Sequence, residues 1–139
     1  MSDTGYNWDA SWSVIDAAIT LTQGGTTSDA SAALDLDGKA ACLISIDADY
    51  SNHAKADGGL NVYIARETGD GSYEVPSTGD PSWGFEMPFT QNNTNRRTFF
   101  LSAAQVQKFK VYLEWENTTG SSSVTVQTDI KYATIPVAS

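Results

Sequence analysis

Between Phe109 and Tyr132, in FKVYLEWENTTGSSSVTVQTDIKY, apolar and polar residues alternate on both sides of a glycine-containing turn, which leaves the chain few ways to fold. Phe109, Val111, Leu113 and Trp115 interleave with Lys110, Tyr112, Glu114 and Glu116, and Val124, Val126, Ile130 and Tyr132 resume the pattern after NTTGSSS. A helix would scatter such residues around its circumference, whereas a strand delivers them to one face. The segment therefore predicts two antiparallel strands, each with one buried and one wet face.

The same period recurs along the chain. IDAAITL (15–21) places Ile15, Ala17, Ile19 and Leu21 together. AACLISIDADY (40–50) sets Cys42, Ile44, Ile46, Ala48 and Tyr50 against Ser45, Asp47 and Asp49. LNVYIARE (60–67) alternates likewise and meets TGDGS, a glycine-rich turn of the hairpin kind, after which SYEV returns. GFEMPFT (84–90) carries Pro88, which cannot donate to a ladder and belongs at an edge or at the end of a sheet. RTFFLS adds a strand, and Ser102 and Gln105 in SAAQVQKF have the spacing of a capping box. SDASAAL (28–34) and PSTGDPSWG (76–84) read as surface loops.

The pattern predicts an all-β antiparallel sandwich or jelly roll of about seven or eight strands, with one short helix near residues 102–108 and extended termini. The order of the strands stays open between jelly roll and immunoglobulin-like. With 139 residues and no interdomain linker, the chain reads as one domain: an arm over 1–11, the sandwich over 12–134 and a tail over 135–139. Cys42 is the single cysteine, so no internal disulfide is possible, and its apolar surroundings predict a buried, inert thiol.

Seventeen acidic residues against eight basic ones leave a net charge of −9, and only Arg96-Arg97 forms a basic pair. Counterion release from phosphates needs a basic face, so nucleic acid and anionic membrane are disfavoured as partners. No apolar run approaches a membrane span and the start MSDTGYNW has no signal-like core, so a chain made in a cytoplasm is expected.

Candidate chemistry is sparse. Glu114 and Glu116 are two residues apart on one strand face, roughly 6.5–7 Å, near the spacing of glycosidase acid pairs. The same two residues equally describe a solvated face with Lys110 and Lys131 nearby. His53 has neither a nucleophile motif nor metal-binding partners. Asp49, Asn52 and Asp57 are the most plausible calcium oxygens, without the twelve-residue loop that would specify the ion. TQGGTT and TGDGSY lack a strand-glycine-helix context, so no cofactor is implied. The reading is non-enzymatic, with no catalytic, cofactor or metal residue assigned.

Aromatic residues carry more. Trp115 belongs to the core by its alternation. Trp8 and Trp12 sit in a polar arm, YNWDASW, and an exposed tryptophan there calls for a cover: a second subunit, a partner or the chain's own sandwich. Trp83 and Phe85, beside prolines, suit a contact site. Trp8, Trp12, Trp83 and Phe85 are thus the candidate interaction residues. A carbohydrate-binding sandwich stacking sugars on Tyr63, Tyr73 or Trp83 is the alternative.

The acidic Ser/Thr/Gly-rich composition, the start of the chain and the ending RRTFFLSAAQVQKFKVYLEWENTTGSSSVTVQTDIKYATIPVAS together resemble small virion accessory proteins of tailed bacteriophages. That resemblance implies a structural protein, most simply a capsid decoration or cement protein bound to the major capsid protein or another virion protein. It also implies a homotrimer or homodimer made in the host cytoplasm and located in the virion, with a tail or head-fibre component as a close variant. It carries no catalytic or ligand motif to transfer.

Overall fold

The computed structural model describes residues 5–22, 26–50, 58–76, 81, 83–90, 92–115 and 123–135. Among these described residues, ten strands follow in chain order: β1 (Asn7–Trp8), β2 (Ser13–Thr22), β3 (Ser28–Ala30), β4 (Leu34–Asp35), β5 (Ala41–Asp49), β6 (Leu60–Arg66), β7 (Gly84–Met87), β8 (Thr94–Ser102), β9 (Lys108–Trp115) and β10 (Ser123–Thr134). One sheet runs β1-β10-β5-β8 with β2 also on β10, and the other runs β3-β9-β6-β7 with β4 also on β9. All pairings are antiparallel.

β1 and β2 share one column along β10, and β3 and β4 share one along β9, so the ten strands make eight columns. Numbered along the chain, the first column pairs with the eighth, the second with the seventh, the third with the sixth and the fourth with the fifth. A long ribbon of paired strands, folded over and rolled into two layers, produces this order. It is the jelly roll, and it resolves the choice against the immunoglobulin-like arrangement.

Burial follows the alternation. In β5, Ile44, Ile46 and Ala48 are buried while Leu43, Ser45 and Asp47 are partly wet; in β9, Phe109, Val111, Leu113 and Trp115 are buried. Leu60, Val62 and Ile64 face them from β6, with Val124, Val126 and Ile130 from β10, in one continuous core. Tyr50, just past β5, ties the two sheets: its hydroxyl donates to Met87 C=O at 2.7 Å and accepts from Leu60 N–H at 3.0 Å. Burial pushes its pKa up to about 12. Cys42 is fully buried.

Three expectations change. Among the described residues there is no helix, and 102–108 holds a single turn between β8 and β9. The Ser102 hydroxyl does accept from Ala104 N–H at 3.1 Å, and its carbonyl accepts from Gln105 and Val106. The turn stops there because Lys108 already pairs in β9 and Gln107 C=O is taken by Leu36 N–H. Residues 28–34, expected as a loop, provide β3 and lead into β4 against β9. Ser31, between the two, satisfies the ladder with its side chain by accepting from Val111 N–H at 2.9 Å. SYEV contributes only an isolated bridge, Glu67 to Tyr73, closing the expected turn in which Gly71 has φ +85°. Pro88 follows β7, which is an edge strand as anticipated.

Candidate interaction surface

The N-terminal arm lies along the chain's own sandwich. Asn7 and Trp8 pair with Thr134 and Ala133, and Asp9 clasps Tyr132: Asp9 N–H donates to Tyr132 C=O at 2.9 Å, while Tyr132 N–H donates to Asp9 Oδ2 at 3.1 Å. These bonds bring the Trp8 ring to Phe100 of β8, with centroids 6.4 Å apart, and Tyr6 completes the group at 5.8 Å from each.

Phe100 reaches this group because alternation sends it away from the core. Its register partner Leu43 is paired in turn with Lys131, so the row Phe100–Leu43–Lys131 crosses the outer face of the sheet. The Lys131 ammonium stands 5.3 Å over the Trp12 ring. Tyr6, Trp12 and Phe100 each keep about two fifths of their surface exposed, at 43%, 41% and 42%. Large aromatics grouped and left half-open on one face of a sheet are enriched at interfaces relative to the rest of a protein surface. Trp8 and Trp12 are therefore brought onto one outer face; Phe100 was missed because it was read only as part of a strand.

Trp83 and Phe85 sit elsewhere, on the side where edge strands β7 and β8 meet. Phe99 receives both, Trp83 at 5.9 Å and Phe85 at 5.2 Å, each edge-on, and the Arg97 guanidinium covers the Phe85 ring at 4.2 Å. Phe85 and Phe99 thereby close the open side of the sandwich. Trp83, 41% exposed, forms one wall of a cleft of about 450 Å³ with Arg66, Gln105 and Val106. Arg66 is held there by Glu74 at 3.0 Å.

The other candidates separate. Tyr63 packs with Tyr112 at 6.4 Å and 51°, and Lys110 stands 4.7 Å over Tyr73, whereas Trp83 is turned to Phe99. The three rings thus each pack against a different neighbour. Glu114 lies in register with Asn61 and Ser28 on the outer face of its sheet, while Glu116, His53, Asn52 and Asp57 lie outside the described residues. Among the described residues, no three His, Cys, Asp or Glu side chains converge.

No family profile matches the sequence, and no curated protein matches it. Among solved structures, the chain is similar to the VP2 subviral particle of infectious bursal disease virus, with TM-score 0.54 and 9% identity over 92% of this chain and 33% of that one. A second likeness is to the T13 particle of the same virus, with TM-score 0.54 and 11% identity over 96% of this chain and 32% of that one. The SPBc2 prophage-derived protein YomS matches at TM-score 0.49 and 11% identity, over 96% of this chain and 99% of that one. The chain thus spans about a third of the length of the viral chains it matches, and the likeness is one of fold.

Proposed function

We propose that this protein is a non-enzymatic structural component of a virion, a decoration or cement protein that binds the outer shell through the face bearing Tyr6, Trp8, Trp12 and Phe100. The observation that carries the reading is that aromatic patch, half-exposed on a rigid sheet and pinned by main-chain bonds of β1 to β10. The jelly-roll order, shared at the level of fold with a viral particle, supports it. Rings already held in place lose little freedom on docking, so an anchor of this kind favours tight binding. The major capsid protein is the partner in this reading, and the chain docks on it as a dimer or trimer.

Mass spectrometry of purified particles from cells carrying this chain tests the proposal. Near-stoichiometric copies relative to the shell protein are expected, and a handful of copies would point to a tail or fibre part instead. Absence from the particles would end the virion reading. Phe100→Glu should cut occupancy at least tenfold while the free protein melts within a few degrees of the parent.

A second reading, a carbohydrate-binding module, is favoured by one feature, the cleft with Trp83 on its wall beside Arg66 and Gln105. Specific hits on a glycan array that vanish in Trp83→Ala would favour it over the shell contact.

A further inference from the structure

β2 departs from regular pairing twice, on either side of one residue. Val126 faces Ile19, Thr128 faces Asp16 and Asp129 faces Val14, so β2 carries an additional residue both before and after Asp16. Bulges re-aim side chains. Asp16 is thereby set opposite Thr128, in the inward row of β10 between buried Val126 and Ile130. From the other sheet, Asp29 of β3 lies opposite Leu113, a core residue, and points inward too. The two carboxyls meet between the sheets within hydrogen-bonding reach.

Among the described residues, the ion pairs join Arg66 to Glu74, Arg96 to Asp47 and Lys108 to Glu67, and none reaches Asp16 or Asp29. The neighbouring Gln127 side chain is bonded to Asp129. Asp29 Oδ2 is buried without a hydrogen-bond partner. Independently, so is Thr128 Oγ1, on a residue with 0% exposure. Unpartnered buried oxygens are costly, and the partner that satisfies such groups is an ordered water or an ion.

We propose that Asp16, Asp29 and the Thr128 hydroxyl form a binding site for a hard divalent cation, calcium in particular, which fastens β2 of one sheet to β3 of the other. All donors are oxygens, which disfavours zinc. An irregular half-buried site that water reaches suits calcium's variable shell of six to eight ligands better than magnesium's strict octahedron. With only two carboxylates, the affinity falls in the range of about 0.1–1 mM. The site is independent of the virion reading.

Thermal unfolding of the full chain at pH 7.5, in 10 mM calcium chloride or in EDTA at matched ionic strength, tests the proposal. Calcium should raise the melting temperature by about 4–10 °C, and magnesium by less. Asp29→Asn and Asp16→Asn should abolish the response, and in EDTA each amide variant should melt at or above the parent. If either fails to fold, Thr128→Val serves instead, with calcium affinity reduced several-fold. Equal melting with and without calcium overturns the site, and so does a calcium response that survives in all folded variants. A melting temperature that depends on pH around 6 with no calcium response would mean that the pair shares a proton only, which also overturns it.

Discussion

The Tyr50 hydroxyl and the Met87 carbonyl, 2.7 Å apart, join the two sheets at the point where β5 leaves its own. The same oxygen accepts from Leu60 N–H, so one buried side chain satisfies two main-chain groups. Tyr50→Phe keeps the ring contacts to Phe89 and Trp115 and removes only the oxygen. Leaving two buried groups unpaired should destabilise the protein by about 2–4 kcal/mol. Urea unfolding measures this as a lower midpoint with an unchanged slope; a loss under 0.5 kcal/mol, on the scale of ordinary surface changes, would refute the tie.

Asp16 makes stability depend on pH. Burial, with Asp29 beside it, pushes its pKa in the folded chain up to about 6, above the ordinary aspartate range, so folding favours the protonated form. Below about pH 4 both states are protonated and the carboxyl costs nothing. As pH rises from about 4 to about 6 the unfolded chain ionises while the folded one resists, so stability falls; above about 6 the folded carboxyl ionises too and the loss levels off. Discounted for the water that reaches this half-buried group, the loss is about 1–2 kcal/mol. In EDTA, the stability difference between the parent and Asp16→Asn should shift by that amount between pH 4.5 and 7.5, with the parent losing ground. Parallel curves would contradict it.

Gly59 has no room for a side chain. A Cβ there would run into the Met87 carbonyl oxygen and lie 3.0 Å from Phe89 N, both main-chain atoms. Gly59→Ala must therefore displace β6 from β7, at a cost of about 1–3 kcal/mol, read from chemical denaturation. Gly38→Ala, with open space around the Cβ but a φ of +75°, should lose about 1 kcal/mol through backbone strain alone.

Cys42 is fully buried in β5 and its pKa is pushed up to about 12 by burial. Ionised thiol is the reactive form, so the native protein should resist a disulfide reagent at pH 8 and react only at the rate of unfolding. Modification within seconds in the absence of denaturant would show the strand to be open.

Much of this was legible in the sequence because burial on one face writes itself as a period of two. β5, β6, β9 and β10 follow from that rule, as do the core positions of Trp115, Ile44 and Cys42. The same rule misread β2. Counting back from Leu21 and Ile19 puts Ala17 inward and Asp16 outward, whereas the bulges expose Ala17 and turn Asp16 toward Asp29. A bulge is set by the partner strand, and nothing in IDAAITL announces one. β3 and β4 were hidden for a related reason, since strands of three and two residues are too short to show a period and exist only where β9 offers a ladder.

Composition and alternation were enough for the class of fold, two wet-and-dry layers, because each residue's hydrophobicity acts locally and repeats along the strand. Which strand lies beside which, where β2 slips its register, and which aromatics share a face depend on atoms distant in the chain. Phe100 meets Trp8, and Asp16 meets Asp29, only after the ribbon has rolled. Those meetings, made by pairing rather than by pattern, create both the exposed aromatic face and the acidic pair between the sheets.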